Sequence, residues 1–219
     1  MVKFGERLQS LRQAGWEKHY IDYEALKVMI DAIANDVTPP AASAAFEKAL
    51  KTEVLKADKF VSDSTDEIRA AFDKATKQTG NVPTAKRASE ISALEAKLSA
   101  LRRFVGTNII AATKIVKKHD KNVPPDLCKR EALSSLIRSA PGMNKVPTLH
   151  SDVEASMKLF GTRAEVTLTI PNETTTSAAD ADDDDEGEDA LRALPSWLLK
   201  GTEAAAKENE VYAKTFYTT

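Results

Sequence analysis

Residues 114–121 read KIVKKHDK, four lysines at offsets 0, 3, 4 and 7 with Asp120 as the one acid among them. At 100° per residue the four fall within an arc of about 100° on one helix face, and Asp120 projects outside it. Like charges three and four residues apart repel by roughly 0.2–0.5 kcal/mol per pair. A solvated helix face normally mixes signs, so a pure-lysine face over two turns is stabilised when an anion arrives. Nucleic acid calls for an extended basic stripe with arginines and stacking aromatics, which this short patch lacks. Several ammonium charges converging on one compact polyphosphate fit it better. Tyr20, Tyr23 and Lys27 form a second constellation at offsets 0, 3 and 7. The ordinary role of such tyrosines is core packing with a wet hydroxyl.

Other chemistries find no support. GxSxG, HExxH, a glycine-rich phosphate loop and EF-hand spacing are all missing from the sequence. His19, His119 and His150 are far apart and lack convergent partners, so surface or capping roles are expected and no metal site is. Cys128 stands beside Lys129 and Arg130, which favour its thiolate; without a paired histidine it reads as a bland, partly buried cysteine. The paired acids of Asp182–Asp185 lie in low-complexity sequence, which does not preorganise catalysis. Enzymatic activity is not expected.

The lysines must be held by helices. The chain has 219 residues, 42% of them hydrophobic and 29% charged, with only 8 Gly and 9 Pro, a composition that leans toward helix. Its net charge is −2, but the run DADDDDEGED at 180–189 holds eight acids and no base. Without that run the rest would stand at +6, a mildly basic body carrying an acidic tail. A single cysteine excludes an intramolecular disulfide, the N-terminus is too charged for a signal peptide, and no apolar run approaches a membrane span. A cytoplasmic or nuclear location is expected.

Phe4, Leu8 and Leu11 mark a first short helix, with Gly15 as its stop. A second helix is expected from Trp16 or Glu17, carrying Tyr20, Tyr23, Leu26, Lys27, Ile30 and Ile33. Residues 41–79 and about 84–121 read as two long helices separated by TGNVPT, where Gly80 and Pro83 break the chain. In the second, Ile91, Leu94, Leu98, Leu101, Phe104, Ile109, Ala112, Ile115 and Val116 form a core stripe nearly opposite the lysines. Each helix would reach about 57 Å, and a short turn makes them an antiparallel hairpin. Residues 126–139 and 148–160 suggest two shorter helices. The predicted class is all-α: an N-terminal helical hairpin packed on a long antiparallel hairpin and closed by shorter C-terminal helices. Residues 162–170 read as extended linker and 171–189 as disordered, with a short helix from 191 onward.

Three segments together carry a family resemblance: VKFGERLQS, WEKHYIDYEALKVMI and NIIAATKIVKKHDK. They resemble, in order and spacing, the Lys-Phe-Gly opening, the Trp…Tyr…Tyr-x-x-x-Lys helix and the Lys-Ile-Leu-Lys-Lys-His/Tyr-Asp-Lys motif of SPX domains. These are helical phosphate-signalling modules of eukaryotic phosphate transporters, polyphosphate polymerases and phosphate-starvation regulators. The likeness spans roughly residues 1–160, followed by a linker at 161–190 and a tail at 191–219. Beyond residue 170 no catalytic or membrane domain is recognisable, which fits either a stand-alone SPX protein or the N-terminal part of a longer one.

The resemblance implies a sensor of inositol polyphosphates and inositol pyrophosphates, with inositol hexakisphosphate or a pyrophosphate as ligand and no cofactor. It would control a partner protein or an attached domain in intracellular phosphate homeostasis. By the family's motifs, Tyr23, Lys27 and Lys118 would form the phosphate-binding cluster. Lys114, Lys117 and Lys121 would supply the surrounding lysine surface, and Lys3 would close over the ligand from the first helix. The alternative is a helical interaction module whose basic face binds nucleic acid or another polyanion without phosphate sensing.

Overall fold

The computed structural model describes residues 4–33, 39–77 and 84–159. The order is α1 (Phe4–Ser10), a 3-10 turn at Glu17–His19, α2 (Tyr23–Ile33), α3 (Pro39–Lys77) and α4 (Thr84–Asn122). A 3-10 turn at Pro125–Leu127 leads to α5 (Arg130–Arg138), and another at Met143–Lys145 leads to α6 (Val146–Leu159). The described residues are all-α, as expected. Gly80, Pro83 and the chain from 160 onward, with its expected linker and short helix, lie outside them.

Helices α3 and α4 are the spine, 39 residues each and so about 58 Å long. Their direction follows from their contacts. Phe46, near the start of α3, stacks on His119 near the end of α4, while Phe60, later in α3, packs on Phe104, earlier in α4. The pairing is therefore antiparallel, and both helices run unbroken. Phe46, Leu50, Leu98, Leu101, Phe104 and Ile115 are fully buried, so the apolar stripe of each helix faces the other and the core.

The second helix departs from the sequence expectation. Glu17–His19 forms only one 3-10 turn, Tyr20 is extended (φ −68°, ψ 152°), and α2 starts six residues later than Glu17, at Tyr23. Tertiary hydrogen bonds are the reason. The Ile21 N–H, which a continuous helix would use internally, donates instead to the buried Asn108 Oδ1 of α4 at 2.8 Å. Asp22 Oδ1 then accepts from the Ala25 N–H at 3.0 Å and caps the new helix. Tyr20 keeps the packing role expected of it: its ring lies 4.4 Å from that of Phe104 and its hydroxyl accepts from the Gln13 N–H. Trp16, Phe60 and Phe104 complete this aromatic cluster, which ties the N-terminal segment to both spine helices. Gly15 reverses the chain with φ at 84°, a conformation that costs glycine little.

Helices α5 and α6 close the other side through Leu133, Val146, Leu149 and Val153, all essentially buried. Their entry is fixed on α3 at Asp58, whose buried Oδ1 accepts from the Met143 N–H at 2.9 Å. Gly142 lies directly on the Asp58 carbonyl, where any Cβ would collide with backbone. On α6, the half-buried His150 accepts through Nε2 from the Arg102 guanidinium at 2.9 Å. Burial first, and the Arg102 charge second, hold His150 below the ordinary histidine value of 6.5. A base depressed in the folded state is protonated first in the unfolded chain, so stability falls as pH drops through about 6.5. His150→Gln should flatten part of that decline, as read from urea midpoints at pH 7.5 and 5.5; an unchanged slope would contradict it.

Candidate anion-binding surface

The KIVKKHDK stretch divides its residues as its helical spacing requires. Ile115 and Val116 are buried in the core, while Lys114, Lys117 and Lys118 are half-buried and Lys121 is exposed. Phe4 of α1 is the joint that aligns this surface. Its ring meets the Tyr23 ring of α2 edge-on, with centroids 5.0 Å apart, and the Lys114 ammonium of α4 sits 4.6 Å from its centroid. Such a cation–π contact is worth about 0.5–1 kcal/mol at a partly exposed site. The Glu24 carboxylate lies over Gly5, so α1 and α2 meet closely here.

One turn further, Lys118 of α4 pairs with Asp31 of α2 at 3.5 Å, and Lys27, four residues before Asp31, pairs with Glu24 at 3.9 Å. Lys27, Lys114 and Lys118 therefore share one surface of α1, α2 and α4. Lys117 and Lys121 continue the α4 arc, and Lys3 lies outside the described residues. Tyr23 is 8% exposed, with its ring in the core and at the Phe4 contact.

Two features were not read from the sequence. The lysine arc has no acids interleaved on its own helix, but α2 supplies Asp31 to Lys118 across the interface. Phe4, read as one of the residues marking the first helix, is also the platform under Lys114. Sequence spacing shows charge along one helix; it does not show which helix lies beside it. Cys128, expected to be partly buried, is exposed.

No family model matches the chain. The SPX domain-containing protein 6 of Oryza sativa subsp. japonica is 30% identical over 132 residues, covering 55% of this chain and 53% of that protein. Its counterpart from subsp. indica is 28% identical over 142 residues, covering 55% of each. The chain thus spans about half the length of the curated relatives it matches. Among solved structures, the SPX domain of Chaetomium thermophilum glycerophosphodiester phosphodiesterase 1, in complex with inositol hexakisphosphate, superimposes with a TM-score of 0.64 at 21% identity. The match covers 74% of this chain and 100% of that one. The fold is that of an SPX domain. The likeness first drawn from three short motifs is borne out along the body.

Within this fold His119 is neither a surface residue nor a simple cap. It is 0% exposed, and its ring stacks on Phe46 at 4.5 Å. Its Nδ1–H donates to Asp120 at 2.8 Å, and in the neutral ring Nε2 accepts from the Ser43 hydroxyl at 2.9 Å. The connectivity is that of an Asp–His–Ser triad, but Ser43 is 4% exposed, so its hydroxyl is closed to any substrate. The role is structural. Asp120 also accepts the Lys129 N–H at 3.1 Å and the Arg130 N–H at 2.9 Å, which caps α5 from a different helix. The lysine arc is thereby pinned to the start of α3 on one side and of α5 on the other. His119→Phe keeps the stacking but leaves the buried Ser43 hydroxyl without the imidazole and takes one donor from Asp120, and should cost about 1–3 kcal/mol in chemical denaturation. A stability within a few tenths of the parent would contradict this role.

Proposed function

We propose that this SPX domain binds inositol polyphosphates and inositol pyrophosphates on the Lys27–Lys114–Lys118 surface and acts as a regulatory sensor in phosphate homeostasis. The observation that carries the reading is the convergence of these lysines from two helices, braced by Phe4 of a third, on an SPX fold. The solved neighbour's own complex with inositol hexakisphosphate supports the same ligand class. Tyr23, Lys27 and Lys118 would form the phosphate cluster, and Lys3, Lys114, Lys117 and Lys121 the surrounding surface. We assign the domain to residues 1–160, with 161–190 as a linker and 191–219 as a tail, in the cytoplasm or nucleus. The liganded surface would recruit or release a protein partner or an attached domain; the role is regulatory rather than catalytic.

The chemistry is charge exchange. Asp31 and Glu24 partner Lys118 and Lys27 at 3.5 and 3.9 Å. A polyphosphate carries more charge than one carboxylate and would take over these ammonium groups, bridging α2 and α4. Affinity resting on such neutralisation falls steeply with salt.

Lys118→Ala or Lys27→Ala should weaken inositol hexakisphosphate binding tenfold or more while leaving the fold intact, since a charge-assisted contact is worth about 1.5–3 kcal/mol. Asp31→Asn, which removes the competing carboxylate, should strengthen it. Calorimetry at one fixed salt concentration checks both, and parent-like affinity in both lysine variants would remove these residues from the site. Short DNA of similar charge binding equally well would favour a generic polyanion module instead.

The ligand should also stabilise the fold, because the lysines converge only when the chain is folded. At a hundred times its dissociation constant it adds about 2.7 kcal/mol. In a domain of this size that raises the melting temperature by roughly 5–10 °C. The shift should shrink with added salt, be much smaller with inorganic phosphate, and vanish in the triple variant Tyr23→Phe, Lys27→Ala, Lys118→Ala. No shift for the folded parent protein would leave KIVKKHDK a solvated face.

A further inference from the structure

Helix α2 has two working flanks. Counted from the core residue Leu26 at 100° per residue, Lys27 projects about 100° to one side, and Met29 and Ala25 about 60–100° to the other. On that other flank a groove of about 400 Å³ opens between α2 and α3. Its floor is Ala25, Leu26 and Met29 of α2 with Ala45 and Ala49 of α3. Alanines let the two helices lie side by side yet leave room above them. Val28, 67% exposed, rises from the outer edge of the same flank, and Leu55, 60% exposed, from the outer face of α3. Among the described residues these two and Leu159 are the strongly exposed large apolar side chains.

The charges of the groove are ordered. Asp22 and Glu53 mark one end, where the Asp22 N–H donates to Glu53 Oε2 at 2.7 Å. Lys48 stands more than a turn nearer the start of α3. Glu53 is also paired with Lys56, so an occupant needs large apolar side chains, acids toward Lys48 and a base toward Asp22.

We propose that the groove is the docking site of residues 191–199 of this same chain. That segment, LRALPSWLL, places Leu191, Leu194, Trp197, Leu198 and Leu199 within nine residues. Large side chains against an alanine floor fill volume that small ones would leave empty. The acid run 180–189 precedes the segment and Lys200 follows it, which matches Lys48 and Asp22 in order; Arg192 is the one base inside the segment, next to the eight acids.

Reach is sufficient. Lys145, at the entry to α6, bonds Asp66 of α3, and Asp152 further along α6 pairs with Arg69, so α6 runs along α3 away from the groove. Its end lies about 40 Å from Ala49, measured along α3 at 1.5 Å per residue. Residues 160–190, taken as unfolded chain, would have a root-mean-square span of about 30 Å and a full extension of about 100 Å. Tethering at that length gives an effective concentration on the order of millimolar, against which a separate partner must compete.

The test uses the full chain with Trp16→Phe, which leaves Trp197 as the sole tryptophan. Without any inositol phosphate present, Trp197 emission should be blue-shifted, and its acrylamide quenching several-fold weaker than in urea. Ala45→Glu, at an exposed helical position, should move the emission to the red and restore quenching with an unchanged circular dichroism spectrum. Trp197 as quenchable in buffer as in urea overturns the proposal. So does protection that Ala45→Glu does not relieve, which would place the segment elsewhere. Protection that grows with protein concentration also overturns it, because the occupant would then be a second copy. None of these outcomes depends on whether the lysine surface binds a polyphosphate.

Discussion

The buried His119 clasp is the point at which the hairpin, the lysine arc and the C-terminal helices meet. Stacked on Phe46 and hydrogen-bonded to Ser43, it locks the end of α4 to the start of α3. Through Asp120 it orients the first turn of α5 as well. A helix of 39 residues frays most readily at its ends, and the lysines sit in the last two turns of one. Without a buried anchor there, the ammonium groups would be spread over an ensemble and would lose the convergence that anion binding needs. The polar atoms of the clasp partner one another, which makes its burial tolerable.

The same end of the molecule resolves the electrostatic puzzle of four unrelieved lysines. Repulsion along α4 is answered across the helix interface by the Asp31 carboxylate of α2 and by the ring of Phe4. The surface thus holds Lys27 and Lys118 in weak, partly exposed pairs. Pairs of that kind contribute little to folding, so a denser anion can displace them at small cost. Binding capacity and fold stability are thus largely separated, with the apolar stripe of α4 securing one and its opposite arc providing the other.

Helix α2 is placed between two surfaces of different character. One flank carries Lys27 beside α4, and the other forms an alanine-floored groove with α3. The late start of α2 at Tyr23 belongs to this arrangement: the Asn108 bond to Ile21 and the Asp22 cap set the helix in place on the spine. A helix continued from Trp16 would lose that bond and draw the Tyr20 ring out of the aromatic cluster.

The sequence by itself determined the all-α class, the two long helices to within two residues at their ends, the lysine arc and the family likeness. These are readable because apolar periodicity along one helix, glycine and proline breaks and short motifs are local properties of the chain. It did not determine the break between His19 and Tyr23, the burial of His119, the counter-charge from Asp31, or the platform role of Phe4. Each depends on which element lies across an interface: a backbone N–H takes a helical or a tertiary acceptor according to what stands opposite it, and a histidine is capping or core according to what covers it. Only the tertiary structure decided those, because hydrogen bonds and charge pairs between helices far apart in the chain leave no periodic trace in sequence.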